Sequence, residues 1–182
     1  MRLFTGLDLP AKVVGNLEKL LERLRPTARI QWSPPANLHV TTKFIGEWPE
    51  ERLDELKEAF AALPGWQAIP VSIRELGFFP NARSPRVFWC GIEAPGLAEL
   101  AAETDRATST LGVASEARAY SPHLTLARIK ERLNLEPLKR AIAALPSVDF
   151  GSFEAGSFFL YRSQLRPGGS VYTKLAEFPL TK

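Results

Sequence analysis

Apolar and polar positions alternate through RLFTGLDL near the N-terminus, the period of a half-buried strand. The period lengthens over AKVVGNLEKLLERLR, where apolar residues recur at helical spacing behind Pro10. ARIQW predicts a short strand and SPPAN a loop. LHVTTKFIG, rich in β-branched residues, predicts a strand with Val40 and Phe44 turned together into the core. PEERLDELKEAFAAL predicts an amphipathic helix that stops before Pro64, and IPVSIRELGFF a strand or hairpin arm.

The order then begins again. RVFWCGIEAP echoes RLFTGLDLP, and GLAELAAETDRATSTLG echoes the first helix. HLTLARI echoes HVTTKFI, LEPLKRAIAALP echoes LDELKEAFAALP, and SFEAGSFFLY echoes SIRELGFFP. Arg2 to Arg86, Phe4 to Phe88 and His39 to His123 all span 84 residues. Two copies of one β-α-β-α-β unit predict an α+β protein. Its form is a bilobal duplicated fold, with two antiparallel-rich sheets and flanking helices related by a pseudo-two-fold axis. The expected organisation is a single domain over 1–182. Its repeat units are approximately 1–85 and 86–182, and strands are free to exchange between the lobes.

Composition narrows the class. Of 182 residues, 45% are hydrophobic and 24% charged, as in a globular protein able to bury a core. No apolar run approaches the ~18 residues that span a bilayer, and MRLFTGLDLP is broken too soon for a signal peptide. The expectation is therefore a cytoplasmic protein, away from the membrane. The single cysteine, Cys90, cannot form an internal disulfide and reads as a buried strand thiol. The net charge of +3 permits an anionic partner without requiring one.

The candidate chemistry lies with the only two histidines. Each is followed by an apolar residue and a threonine: His39-Val40-Thr41 and His123-Leu124-Thr125. On a strand, residues two apart share a face, so each histidine points the same way as its threonine. Each pair offers an imidazole that exchanges protons near neutrality and a hydroxyl that can hold an anion. Two such pairs facing each other across a cleft suit in-line displacement at phosphorus. That reaction needs a base on one side, an acid on the other, and donors on the non-bridging oxygens. Arg128 supplies a fixed charge for the phosphate. It stands five residues past His123, so it needs a bulge, a strand end or a bent side chain to reach the site. Lys43, four past His39, falls on the histidine's face by simple alternation. No cysteine cluster or third ligand suggests a metal site, and no Gly-rich nucleotide loop is present. A serine triad would use one histidine and leave the second without a role. The residues alone do not say which histidine is acid and which is base.

At these residues the chain resembles the two-histidine phosphoesterase superfamily, in particular its RNA 2′,3′-cyclic phosphodiesterases, also called 2′-5′ RNA ligases. The resemblance rests on RLFTGLDLP, NLHVTTKFIGE, GFFPNARSPRVFWCGI, SPHLTLARI and SFFLYRSQLRPGGSVYTKL. Thr42 stands where a leucine is more usual, on the side turned from the site. The resemblance implies a phosphate site in the central cleft and hydrolysis of RNA 2′,3′-cyclic phosphate ends to 2′-phosphomonoesters. It also implies no metal or nucleotide cofactor, and a reverse 2′-5′ joining of tRNA-half-like ends. By position, His39 would be the proton donor and His123 the proton acceptor, with Thr41, Thr125 and Arg128 on the phosphate.

Further substrate contacts are sought among residues near the cleft: Lys43, Tyr120, Ser163 and Tyr172, then Trp32, Phe79, Arg83, Arg118 and Arg162. Ser163 and Gly169 read as a hairpin lip. Two alternatives stay open. One is a phosphodiesterase for a small cyclic nucleotide or a 2′-5′ oligonucleotide. The other is an RNA-end-binding protein without catalysis. The expected working unit is a monomer.

Overall fold

The computed structural model describes residues 1–181. Nine strands and four helices alternate along them in the order β1 Arg2–Leu7, α1 Ala11–Leu24, β2 Gln31–Trp32, β3 Val40–Glu47, α2 Leu53–Ala61, β4 Ile69–Phe79, β5 Val87–Glu93, α3 Leu97–Ser109, β6 His123–Arg128, α4 Glu136–Ala143, β7 Asp149–Ala155, β8 Ser157–Arg166 and β9 Gly169–Pro179. Two antiparallel sheets result, ordered β3-β1-β8-β9 and β2-β6-β5-β4-β7. Setting β2 aside, the first order maps onto β6-β5-β4-β7 as a pseudo-two-fold copy, which is the bilobal α+β duplication. The strands are exchanged: β4 joins the sheet of β5 and β6, and β8 with β9 joins that of β1 and β3. The helices cross as well. α1 packs on β7 and α4, and α3 on β3 and α2. Each helix turns its apolar stripe inward, as with Leu17, Leu21 and Leu24 of α1, all fully buried. No helix is long and apolar enough to cross a membrane among the described residues.

Two details depart from the pattern read in sequence. SFEAGSFFLY is not one strand: the chain breaks at Gly156, sending β7 to one sheet and β8 to the other. The ladders also match Phe4 opposite Phe44 with Val87 opposite Arg128, so Phe4 corresponds to Val87 and not to Phe88. One residue of offset changes the face. Phe88 is buried in the core, whereas Phe4 underlies His39 at a ring distance of 4.7 Å.

Bulges set what each motif strand presents. Thr5 pairs with Lys43 and Gly6 with Thr41, which leaves Thr42 as an extra residue in β3. Phe88 pairs with Ala127 and Trp89 with Thr125, which leaves Leu126 extra in β6. A bulge shifts the alternation by one place. Lys43, expected on the histidine's face as a substrate contact, therefore turns inward. It is 3% exposed and its Nζ donates to Asp105 Oδ1 (2.7 Å), the Ala114 carbonyl (3.0 Å) and Glu116 Oε1 (3.4 Å). Phe44, expected in the core, is turned out and 59% exposed. Thr42 faces away from the histidine, hydrogen-bonded to the buried Thr5 hydroxyl at 2.7 Å. Cys90 is buried, and desolvation pushes its thiol up to about 12.

Candidate active site

His39 ends the loop that enters β3, and His123 opens β6. In each, the backbone two residues earlier fixes the ring. His39 Nδ1 lies 2.7 Å from the Asn37 carbonyl, and His123 Nδ1 lies 2.9 Å from the Ser121 carbonyl. A carbonyl only accepts, so each Nδ1 carries its hydrogen. Nε2 is then the nitrogen that can take up or release a proton, in both copies. His39 Nε2 is within 2.9 Å of Thr41 Oγ1, as the shared face requires. His123 Nε2 has no hydrogen-bond partner among the described residues.

The environments differ. His39 is clasped by aromatic rings, with Phe4 beneath it and Tyr172 edge-on at 5.1 Å. Gly6 is required beside it, because a Cβ there would sit 2.7 Å from the Val40 carbonyl oxygen. Burial pushes the His39 pKa below its ordinary value. The Asn37 carbonyl pushes it back up, the positive charge of Arg128 lowers it, Asp8 raises it, and the charge of His123 lowers it further. The two motifs and Arg128 therefore share one electrostatic environment. His123 is half-buried, with Phe79 edge-on at 5.2 Å.

Arg128 reaches this environment through the bulge at Leu126 and stands exposed at the end of β6. Thr125 is half-buried on the His123 face, and its carbonyl accepts from Ser33 Oγ at 3.0 Å. Tyr120 is not a free substrate contact. Its hydroxyl donates to the Thr41 carbonyl at 2.7 Å, tying the segment before His123 to the first motif. Alternation of hydrophobic residues carries no trace of that bond. Tyr172 lines a pocket of about 450 Å³ together with His39, Asp8, Asn37, Tyr161 and Lys174. The β8–β9 hairpin turns at residues 167–168 with Gly169 directly after it, while Ser163 lies further back inside β8, opposite Arg2 and Tyr172. Trp32 packs edge-on against Phe88 and bonds the Ala28 carbonyl, so it serves the core. Among the described residues, no three His, Cys, Asp or Glu side chains converge as metal ligands.

The two motifs and Arg128 offer two proton-exchanging nitrogens, two hydroxyls and one guanidinium, with both Arg128 and His123 close enough to act on the charge of His39, which is an inventory for phosphoryl chemistry. Comparison with known proteins agrees with it. The LigT like phosphoesterase family matches residues 7–89 and 92–172. An RNA 2′,3′-cyclic phosphodiesterase of Methanocaldococcus jannaschii is 37% identical over 178 residues, covering 98% of this chain and 100% of that protein. A crystal structure from Thermus thermophilus superposes with a TM-score of 0.83 at 33% identity, covering 99% of this chain and 98% of the other. The structure of Escherichia coli LigT complexed with 3′-AMP gives 0.81 at 26% identity, covering 100% and 98%.

Proposed function

This chain belongs to the LigT-like phosphoesterase family, and we propose that it opens 2′,3′-cyclic phosphates at RNA ends to leave 2′-phosphomonoesters. The observation that carries this reading is the matched fixing of both histidines, each with Nδ1 held on the carbonyl two residues earlier and Nε2 left for proton transfer. The substrate class comes from the likeness to RNA 2′,3′-cyclic phosphodiesterases over the whole chain.

In this reading His123 Nε2 takes a proton from water as it attacks phosphorus. Thr41, Thr125 and Arg128 hold the non-bridging oxygens. The P–O3′ bond breaks, and His39 Nε2 protonates the departing 3′ oxygen. The lowered pKa of His39 makes its protonated form a better proton donor, and the negative charge of bound substrate offsets Arg128 and favours that form. No metal takes part. With an RNA 5′-hydroxyl in place of water as the nucleophile, the same groups would break the same P–O3′ bond and form a 2′-5′ bond. The working unit is a cytoplasmic monomer.

The test is incubation with excess chelator and a short RNA ending in a 2′,3′-cyclic phosphate, with the product identified by mass and phosphatase sensitivity. We expect a 2′-phosphate. His39→Ala and His123→Ala should each lower kcat by about a hundredfold or more. An unchanged RNA end would overturn the assignment.

A further inference from the structure

The face of the first sheet that carries His39 continues well beyond it. Phe4 pairs with Phe44 across β1 and β3, with ring centroids 6.2 Å apart, so Phe44 lies on the His39 face. Its 59% exposure places an aromatic ring in solvent along the row His39, Thr41, Phe44. On the next strands Arg2 pairs with Ser163, and Leu165 follows two residues on, 87% exposed. A recess of about 320 Å³ opens there, lined by Arg2, Arg162, Ser163 and Leu165. The one carboxylate lining it among the described residues, Glu47, pairs with Arg2 in the ladder and also faces the Met1 ammonium at 3.6 Å, so positive groups outnumber negative ones there.

An exposed ring with Arg2 on the same face, in line with a phosphate-handling row, has the chemistry of single-stranded RNA binding: a stacking platform for a base and a cation for the backbone. None of these groups is needed to act on the cyclic phosphate itself. We propose that this face is a second nucleotide subsite, in which Phe44 stacks the base of the nucleotide preceding the cyclic end while Arg2, on the same face, holds its phosphate. The subsite rests on the RNA-end reading and adds to it a preference for chain over mononucleotide.

The test compares kcat/KM for a nucleoside 2′,3′-cyclic monophosphate with that for a trinucleotide ending in the same cyclic nucleotide. Wild type should favour the trinucleotide. Phe44→Ala should cut that preference about tenfold, and Phe44→Trp should keep it. Arg2→Ala should cut it less and flatten its dependence on salt. Phe44 is exposed, so its replacement does not threaten folding. A wild type with no length preference, or a Phe44→Ala variant that keeps the preference, would overturn the subsite while leaving the RNA-end reading intact. If wild type hydrolyses neither substrate, the RNA-end reading fails and takes the subsite with it.

Discussion

β3 and β6 carry the same frame, histidine then threonine, and the same bulge one residue later, yet they present different chemistry. After its bulge β6 puts buried Ala127 inward and Arg128 outward. β3 puts Lys43 inward and Phe44 outward. A bulge inherited by both copies has thus kept the geometry while the residues on either side of it diverged. The second lobe gives the cleft a charge and packs an apolar strand behind it. The first gives the cleft an aromatic surface and hides its cation. On the proposed two-histidine reading, duplication has preserved the positions where proton transfer requires symmetry. It has relaxed those beside them, where one phosphate needs one guanidinium.

The comparison can be broken by making the strands alike. Arg128→Gln removes the charge that has no counterpart in β3. A charge-assisted hydrogen bond to phosphate contributes about 2 kcal/mol, so kcat/KM should fall about thirtyfold. Steady-state kinetics on the cyclic RNA end would check this, and an unchanged value would remove Arg128 from the site. Lys43→Met gives β3 an apolar interior like that of β6, but strands Asp105 and Glu116. Both carboxylates keep some contact with solvent, which softens the cost of an unpaired charge. Urea unfolding should show a loss of about 1–2 kcal/mol. A stability equal to wild type would mean that the pair contributes nothing.

Much of this site is legible in the chain. Two histidines in one three-residue frame, with Val40 and Leu124 turned inward between them, follow from alternation alone. Arg128 is placed by the same argument once a bulge is allowed. What alternation cannot supply is the bulge itself. Thr42-Lys43 and Leu126-Ala127 contain no glycine or proline to mark the extra residue, so Lys43 and Phe44 are read on each other's faces. Long-range pairing is hidden for a related reason. The exchange of β4 against β8 and β9 depends on partners far apart in sequence, and local periodicity carries no information on them. The bond from Tyr120 to the Thr41 carbonyl joins the motifs across that same gap.

The most direct test of the two-histidine account is the pH dependence of kcat/KM and of kcat on a cyclic-phosphate RNA end. One histidine must be neutral and the other protonated, so both profiles should be bell-shaped. Burial lowers the pKa of His39, so one limb of the free-enzyme profile should lie below the ordinary histidine value. That limb is read in kcat/KM, which reports the free enzyme. In kcat it should move upward, because bound phosphate offsets the charge of Arg128. A rate that keeps rising well above both histidine pKa values would contradict the acid–base pair altogether.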